Sequence, residues 1–388
     1  MSDQTPLSPY LGIPRWEIDV PAMQAALDVV ASFPPGAMVY FSLELVTIGE
    51  SSAVAVYATN RDYVFESTVP VSNQDSLFDP KRRVFVKFSL LHSLVKLYPD
   101  FIFKFDEKGN LYYHNEFVTY QIKPLALDNL ELPFPDYSTL ESQAFPVSKP
   151  ALVSAKKMVD FAVRIADNKV QWSQDRLSGQ FITYAFSFQL EGKTKDPVQF
   201  RKYDMLLMSL IAAKDSEYAL DKAKTRFFLF SGSSSLSFLL LSGKTDVKPI
   251  LHKEKYGQAE LSIKHLQKVL GFLKNDATAT NLVFVPTKTK DIRVRLDIQS
   301  FFFVGTGEIP AYGFSLRLEE LRRVLGVLPE GTSTAAINVY GDGAEFSVED
   351  GGVKYSYILG KMDTTQTTAV STEVIDRLKT SRDKEASR

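Results

Sequence analysis

Apolar residues recur along this chain in two alternating rhythms. In six windows of 14 residues, apolar side chains fall at or near positions 3, 6, 9, 10 and 13, the spacing of one helix face. The windows begin at Pro21, Val86, Pro150, Val198, Leu261 and Leu316. The last two, LSIKHLQKVLGFLK and LRLEELRRVLGVLP, lie 55 residues apart and share Val-Leu-Gly with a basic residue before it. Between the windows the rhythm changes. After Pro329 come STAAINVY, the turn Gly341-Asp342-Gly343, AEFSV, Glu349-Asp350-Gly351-Gly352 and VKYSYIL. After Pro99 come DFIFKF, LYYH and EFVTYQI. Short runs punctuated by Gly and Asp predict meanders of hairpins.

The predicted unit is therefore β-α-β-β-β, written six times. One unit covers its helix on one sheet face and leaves strand edges open. Two units side by side make a domain of ordinary size, so six units predict an α+β chain of three similar domains. The expected boundaries are 1–138, 143–245 and 254–363, followed by a polar, Thr-rich tail over 364–388 that is expected to be flexible. The Pro-rich, acidic stretch from Asp128 to Pro146 and the stretch from Leu241 to Glu260 separate the domains.

Composition narrows the function. The 388 residues include no Cys, which excludes disulfides and Cys-based metal sites and fits a reducing compartment. No apolar run approaches the length needed to span a bilayer and the first residues carry no signal pattern, so a cytoplasmic protein is expected. His92, His114, His252 and His265 are not spaced as metal ligands. Ser242-Gly243-Lys244-Thr245 resembles the end of a phosphate-binding loop, but Phe238 stands where that loop needs Gly and DVKP is no helix start. Gly305-Thr306-Gly307 reads as a turn. No catalytic constellation stands out, so no enzyme and no cofactor are expected.

The formal net charge is −1, so any nucleic-acid footprint must be local. The helices hold the informative cations: Lys96 in the second, Lys149, Lys156, Lys157 and Arg164 in the third, Arg201 and Lys202 in the fourth, Lys264, Lys268 and Lys274 in the fifth, Arg317, Arg322 and Arg323 in the sixth. On one helix such residues simply solvate an outer face. On equivalent helices of a repeat array they would gather on one surface and contact phosphates without reading sequence.

These features together resemble the bacterial β-type DNA sliding clamp, the processivity subunit of replicative DNA polymerases. Local text adds to the likeness: FPVSKPALVSAKKMVDFAV at 145–163, LELPFPDY near Leu130–Tyr137, GKTDVKPILHK at 243–253 and YSYILGKM at 355–362. The chain departs from the family at Gln174-Asp175-Arg176-Leu177-Ser178-Gly179, where an Asp-Gly-His/Arg turn is usual, and in its longer C-terminus. A divergent clamp encoded by a bacterial virus would look like this.

The resemblance implies a ring-shaped homodimer that encircles duplex DNA in the host cytoplasm, needs no cofactor or membrane, and tethers a polymerase and a clamp loader through short peptides. It implies DNA contacts from Lys96, Lys156, Lys157, Arg164, Arg201, Lys202, Lys264, Lys268, Arg322 and Arg323. It implies a partner-peptide pocket formed by Val170, Trp172, Leu177, Ile250, Ile358 and Met362. The alternative is a non-enzymatic structural or assembly protein that oligomerises through β-edges and never encircles DNA.

Overall fold

A computed structural model describes residues 15–35, 39–48, 51–74, 83–97, 101–105, 111–114, 119–123, 125, 137–160, 169–181, 184–241, 254–275, 280–295, 301–341 and 343–360. All six windows form helices. The first unit is β1 (Arg15–Ile18), α1 (Val20–Ala31), β2 (Tyr40–Ile48), β3 (Ser51–Thr59) and β4 (Tyr63–Gln74). The second is β5 (Arg83–Phe85), α2 (Phe88–Leu97), β6 (Ile102–Phe105), β7 (Leu111–His114) and β8 (Thr119–Ile122). The third holds β9 (Gln143–Ala144), α3 (Lys149–Asp160), β10 (Lys169–Gln180) and β11 (Tyr184–Arg201). The fourth continues with α4 (Lys202–Ile211), β12 (Glu217–Leu220), β13 (Arg226–Ser231) and β14 (Ser234–Leu239). The fifth is β15 (Lys255–Ser262), α5 (Ile263–Phe272), β16 (Asn281–Pro286), β17 (Asp291–Arg295) and β18 (Phe301–Glu308). The sixth is β19 (Phe314–Arg317), α6 (Leu318–Val327), β20 (Thr334–Tyr340), β21 (Gly343–Asp350) and β22 (Val353–Gly360).

Local chemistry sets the helix starts. Asp19 accepts the Ala22 N–H at 2.8 Å and so caps α1, with Pro21 in the first turn, where its missing N–H costs nothing. Asp204 caps the start of α4 by accepting the Arg201 N–H at 2.6 Å. In several windows the first apolar residues still belong to the preceding strand: Leu261 lies in β15, Leu316 lies in β19, and Val198 and Phe200 lie in β11. The strand feeds the helix directly, so one apolar stripe serves both periods.

The third unit departs from the expected pattern. The expected unit carries three separate strands after its helix, but from Tyr184 to Arg201 the backbone forms one strand of 18 residues. β10 pairs with both ends of it, and the register jumps from Arg176↔Gln189 to Gln174↔Thr194. The surplus residues form a bulge, with Gln174 at φ 53°. Thr194 donates its hydroxyl to the Asp196 carbonyl at 2.7 Å, and a Cβ on Gly192 would collide with Pro146. These contacts hold the bulge in place.

Two compact units result. Unit 1 comprises 1–145 and 206–242, and unit 2 comprises 146–205 and 243–388. The second expected domain, 143–245, therefore contributes to both. Strand pairing explains why. In unit 1, β14 pairs antiparallel with β4, joining β12–β14 to the first two repeats in one 12-stranded sheet. In unit 2, β11 pairs antiparallel with β22, joining β10–β11 to the last two repeats in one 10-stranded sheet.

Aromatic rings cross both joints. Tyr63 meets Phe238 across β4·β14 at 6.0 Å between centroids, and Phe238 meets Phe227 at 5.2 Å. Phe188 meets Tyr355 and Tyr357 across β11·β22 at 4.8 and 5.5 Å. Such pairs add about 0.5–1.5 kcal/mol each beyond the area they bury. In unit 2 a polar link reinforces the joint. Ser154 of α3 donates to the Val327 carbonyl of α6 at 2.8 Å, and the Tyr357 hydroxyl lies 2.8 Å from the same Ser154 oxygen. Burial drives the Tyr357 pKa upward, so this hydroxyl stays neutral.

Candidate nucleic-acid interface and open strand edges

Each unit carries its own layer of helices. In unit 1, α1 packs against α2. The exposed side of α1 presents Pro21, Ala25, Asp28 and Ala31, and that of α2 presents Ser89, Ser93, Lys96 and Leu97. His92 lies 3.4 Å from the Asp28 carboxylate and stacks on Phe88. Of the candidate DNA contacts, this layer holds only Lys96, which sits in the last turn of α2, where a cation also suits the helix dipole.

In unit 2, α6 packs against both α3 and α5. Lys157 and Lys264 are exposed and have no ion pair among the described residues. Other cations are tempered by acids. Asp160 receives Lys156 at 2.7 Å and Lys202 at 2.5 Å. Burial alone would raise the Asp160 carboxyl, but the hydrogen bonds and charges of the two lysines outweigh it and hold the carboxyl below its ordinary value. Arg201 pairs with the buried Asp204 at 3.3 Å, and Arg323 pairs with Glu319 one turn before it. Arg322 reaches the Leu270 carbonyl near the end of α5 at 3.5 Å. Arg164 lies outside the described residues.

The expected peptide pocket divides. Val170, Trp172 and Leu177, all on β10, are fully buried, and Trp172 stacks on Phe200. They serve the core of unit 2 and offer no open surface. Ile358 is half-exposed on β22, where it pairs with Ala185 of β11. Ile250 and Met362 lie outside the described residues, as do His252 and the tail expected over 364–388. Among the remaining histidines, His114 shares a 2.6 Å hydrogen bond with Thr119, and His265 on α5 meets Phe303 edge-on.

The strand edges carry information that sequence reading missed. Within each repeat the strands that form joints are the last ones: β4 of the first with β14 of the fourth, and β22 of the sixth with β11 of the third. By that rule two last strands remain, β18 of the fifth repeat and β8 of the second. β8 pairs only with β7 among the described strands. Residues 301–304 of β18 pair only with β17, because β15 takes the other side from Gly305 onward. Both edges expose aromatics: Tyr120 on β8 at 42%, and Phe301 and Phe303 on β18 at 38% and 39%. The signal was legible as the run Phe301-Phe302-Phe303, which reads simply as strand until its neighbours are known.

Among the described residues no helix is long and apolar enough to cross a membrane. No protein-family model matches the chain, and no curated protein matches it by sequence. Solved structures do. The DNA polymerase III β subunit of Thermotoga maritima superposes with a TM-score of 0.66 at 12% identity, over 90% of this chain and 99% of that one. The Helicobacter pylori β clamp bound to a DNA ligase peptide gives 0.67 at 14%, over 90% and 100%. A putative DNA polymerase III β subunit of Eubacterium rectale gives 0.65 at 8%, over 90% and 100%. Six repeated helices on antiparallel sheets, matched over nine-tenths of the chain, establish that this protein has the fold of the DNA polymerase III β clamps.

Proposed function

We propose that the protein is a sliding clamp: two copies close head to tail into a ring around duplex DNA and tether a replicative polymerase, with no chemistry of their own. One observation carries this reading. The internal joints follow a rule, first repeat with fourth and third with sixth, and among the described residues the rule leaves β8 of the second repeat and the first part of β18 of the fifth without a second strand. A second copy satisfies both edges at once, continuing the sheets across two identical junctions. Such head-to-tail contacts either close into a ring or grow into a filament, and two copies of a six-repeat chain give twelve repeats around a closed circle.

Helix cations held partly by neighbouring acids suit a ring that slides, because topology supplies retention and phosphate contacts need only be weak and interchangeable. The peptide site falls to Ile358 beside the β11·β22 pairing, together with Ile250 and Met362. A similar clamp is bound to a ligase peptide, which favours recognition of short peptides from replication enzymes here.

Negative-stain electron microscopy of the full chain, with and without mild cross-linking, tests the reading. The expected images are closed rings with a central hole and pseudo-sixfold outline. Compact or filamentous particles without a hole, even after cross-linking, would instead point to a β-edge assembly protein.

A further inference from the structure

The repeated tetrapeptide contains residues that the fold does not explain. Lys268-Val269-Leu270-Gly271 in α5 and Arg323-Val324-Leu325-Gly326 in α6 occupy the same place in their repeats. The Val-Leu pairs are buried and form the core. The glycines are exposed at the next-to-last position of each helix, and a Cβ at either would meet nothing within 4 Å. Neither adopts the positive φ that would make glycine a helix terminator. Glycine there weakens the helix relative to almost any other residue. Nothing among the described residues requires it, yet it is written twice.

What surrounds the glycines points outward. The cation three residues earlier shares each glycine's helix face. Arg322 comes across from α6 to the Leu270 carbonyl, beside Gly271. Lys264 is exposed one turn before Lys268, and Lys274 is exposed just after α5. The α1–α2 layer of unit 1 has no helical cation–glycine pair: α1 has no cation in its span and exposes Pro, Ala and Asp, and α2 carries Lys96 but no glycine.

Resting on the clamp reading, we propose that the phosphate-gripping surface is confined to the helix layer of unit 2. There the paired cation–glycine motifs of α5 and α6 let the phosphodiester backbone of duplex DNA approach to backbone distance. The cation supplies the charge and the absent side chain supplies the room. Glu319, which pairs with Arg323, moderates the grip. The α1–α2 layer is a bystander that faces DNA without holding it.

The test measures binding of a short fluorescein-labelled duplex by anisotropy across a salt series, alongside melting temperature and solution mass. Gly271→Gln/Gly326→Gln is expected to raise the melting temperature by about 2–4 °C, because glutamine favours the helix. The same variant is expected to weaken duplex binding about tenfold and flatten the log K against log salt slope by about 0.9 for each phosphate no longer neutralised. Lys268→Gln/Arg323→Gln is expected to flatten the slope equally, Glu319→Gln to tighten binding, and Lys96→Gln to weaken binding far less than either double variant. The proposal is overturned if the glycine variant binds duplex as wild type does, or if Lys96→Gln weakens binding as much as Lys268→Gln/Arg323→Gln. Wild-type rings of dimer mass that show no duplex binding would sink the grip proposal and leave the clamp reading standing. Wild-type protein that stays monomeric and binds no duplex would sink both.

Discussion

The β4·β14 joint and the β18 edge hold the same rank in the repeat, and one is closed while the other is open. At the closed joint, Ser67 and Ser234 share a 2.8 Å hydrogen bond, Leu236 is fully buried opposite Phe65, and Tyr63 meets Phe238. At the open edge, Phe301 and Phe303 are more than a third exposed, and backbone groups over 301–304 lack a second strand among the described residues. An open strand edge with exposed aromatics attracts another strand, and proteins usually blunt such edges with charge or proline. This chain does neither. On the proposed clamp reading, the second edge takes a partner of the same kind as the one that closed the first.

The largest expected effect separates the two. Phe301→Glu/Phe303→Glu should abolish assembly, leaving the 43.5 kDa chain as a monomer by analytical ultracentrifugation, with its melting temperature close to that of wild-type monomer. Persistence of the dimer in this variant would remove β18 from the junction. Next comes Leu236→Ala at the closed joint, which should cost about 2–5 kcal/mol of stability because it empties a packed core position. Urea denaturation would report it, and protein that remains folded should still assemble. If that variant instead dissociated while folded, the two joints would not be independent. The smallest effect belongs to Tyr357→Phe. It removes a hydroxyl from the Ser154–Val327 link but leaves Ser154 bonded to the Val327 carbonyl, so about 1 kcal/mol is expected. A loss of several kcal/mol would mean that this link, rather than the aromatic pairs, dominates the β11·β22 joint.

How much of this was legible depended on range. The helices were readable because Met23, Val29 and Val30, or Leu266, Val269 and Leu270, stand on one face and are all buried. Hairpins were readable from Gly and Asp. The long β11 strand was not, because the repeat pattern implies separate strands there and only the pairing with β10 shows one continuous strand. The tempering of Lys156 and Lys202 by one Asp160 was equally hidden, since Lys202 lies far along the chain from that carboxylate. The family resemblance alone assigns Trp172 to a pocket wall, and it sits in the stretch KVQWSQDR. The alternation that points it inward becomes visible only once the stretch is known to be a strand.

The β4·β14 joint has a consequence for how the protein is made. Ser67 finds Ser234 167 residues later, so the sheet of unit 1 cannot be completed until that distant segment has left the ribosome. Meanwhile the β4 edge waits unpaired, and residues 146–205 must be looped out as part of the other unit. Contacts this distant in sequence make folding slow and leave strand edges exposed to other nascent chains. The architecture that makes two internal joints from one polypeptide therefore postpones the first until β14 is made and the second almost to the end of synthesis, since β11 must wait for β22. The window for mispairing is longest in the half-made chain, where β4 and β11 both present edges awaiting partners that have not yet emerged.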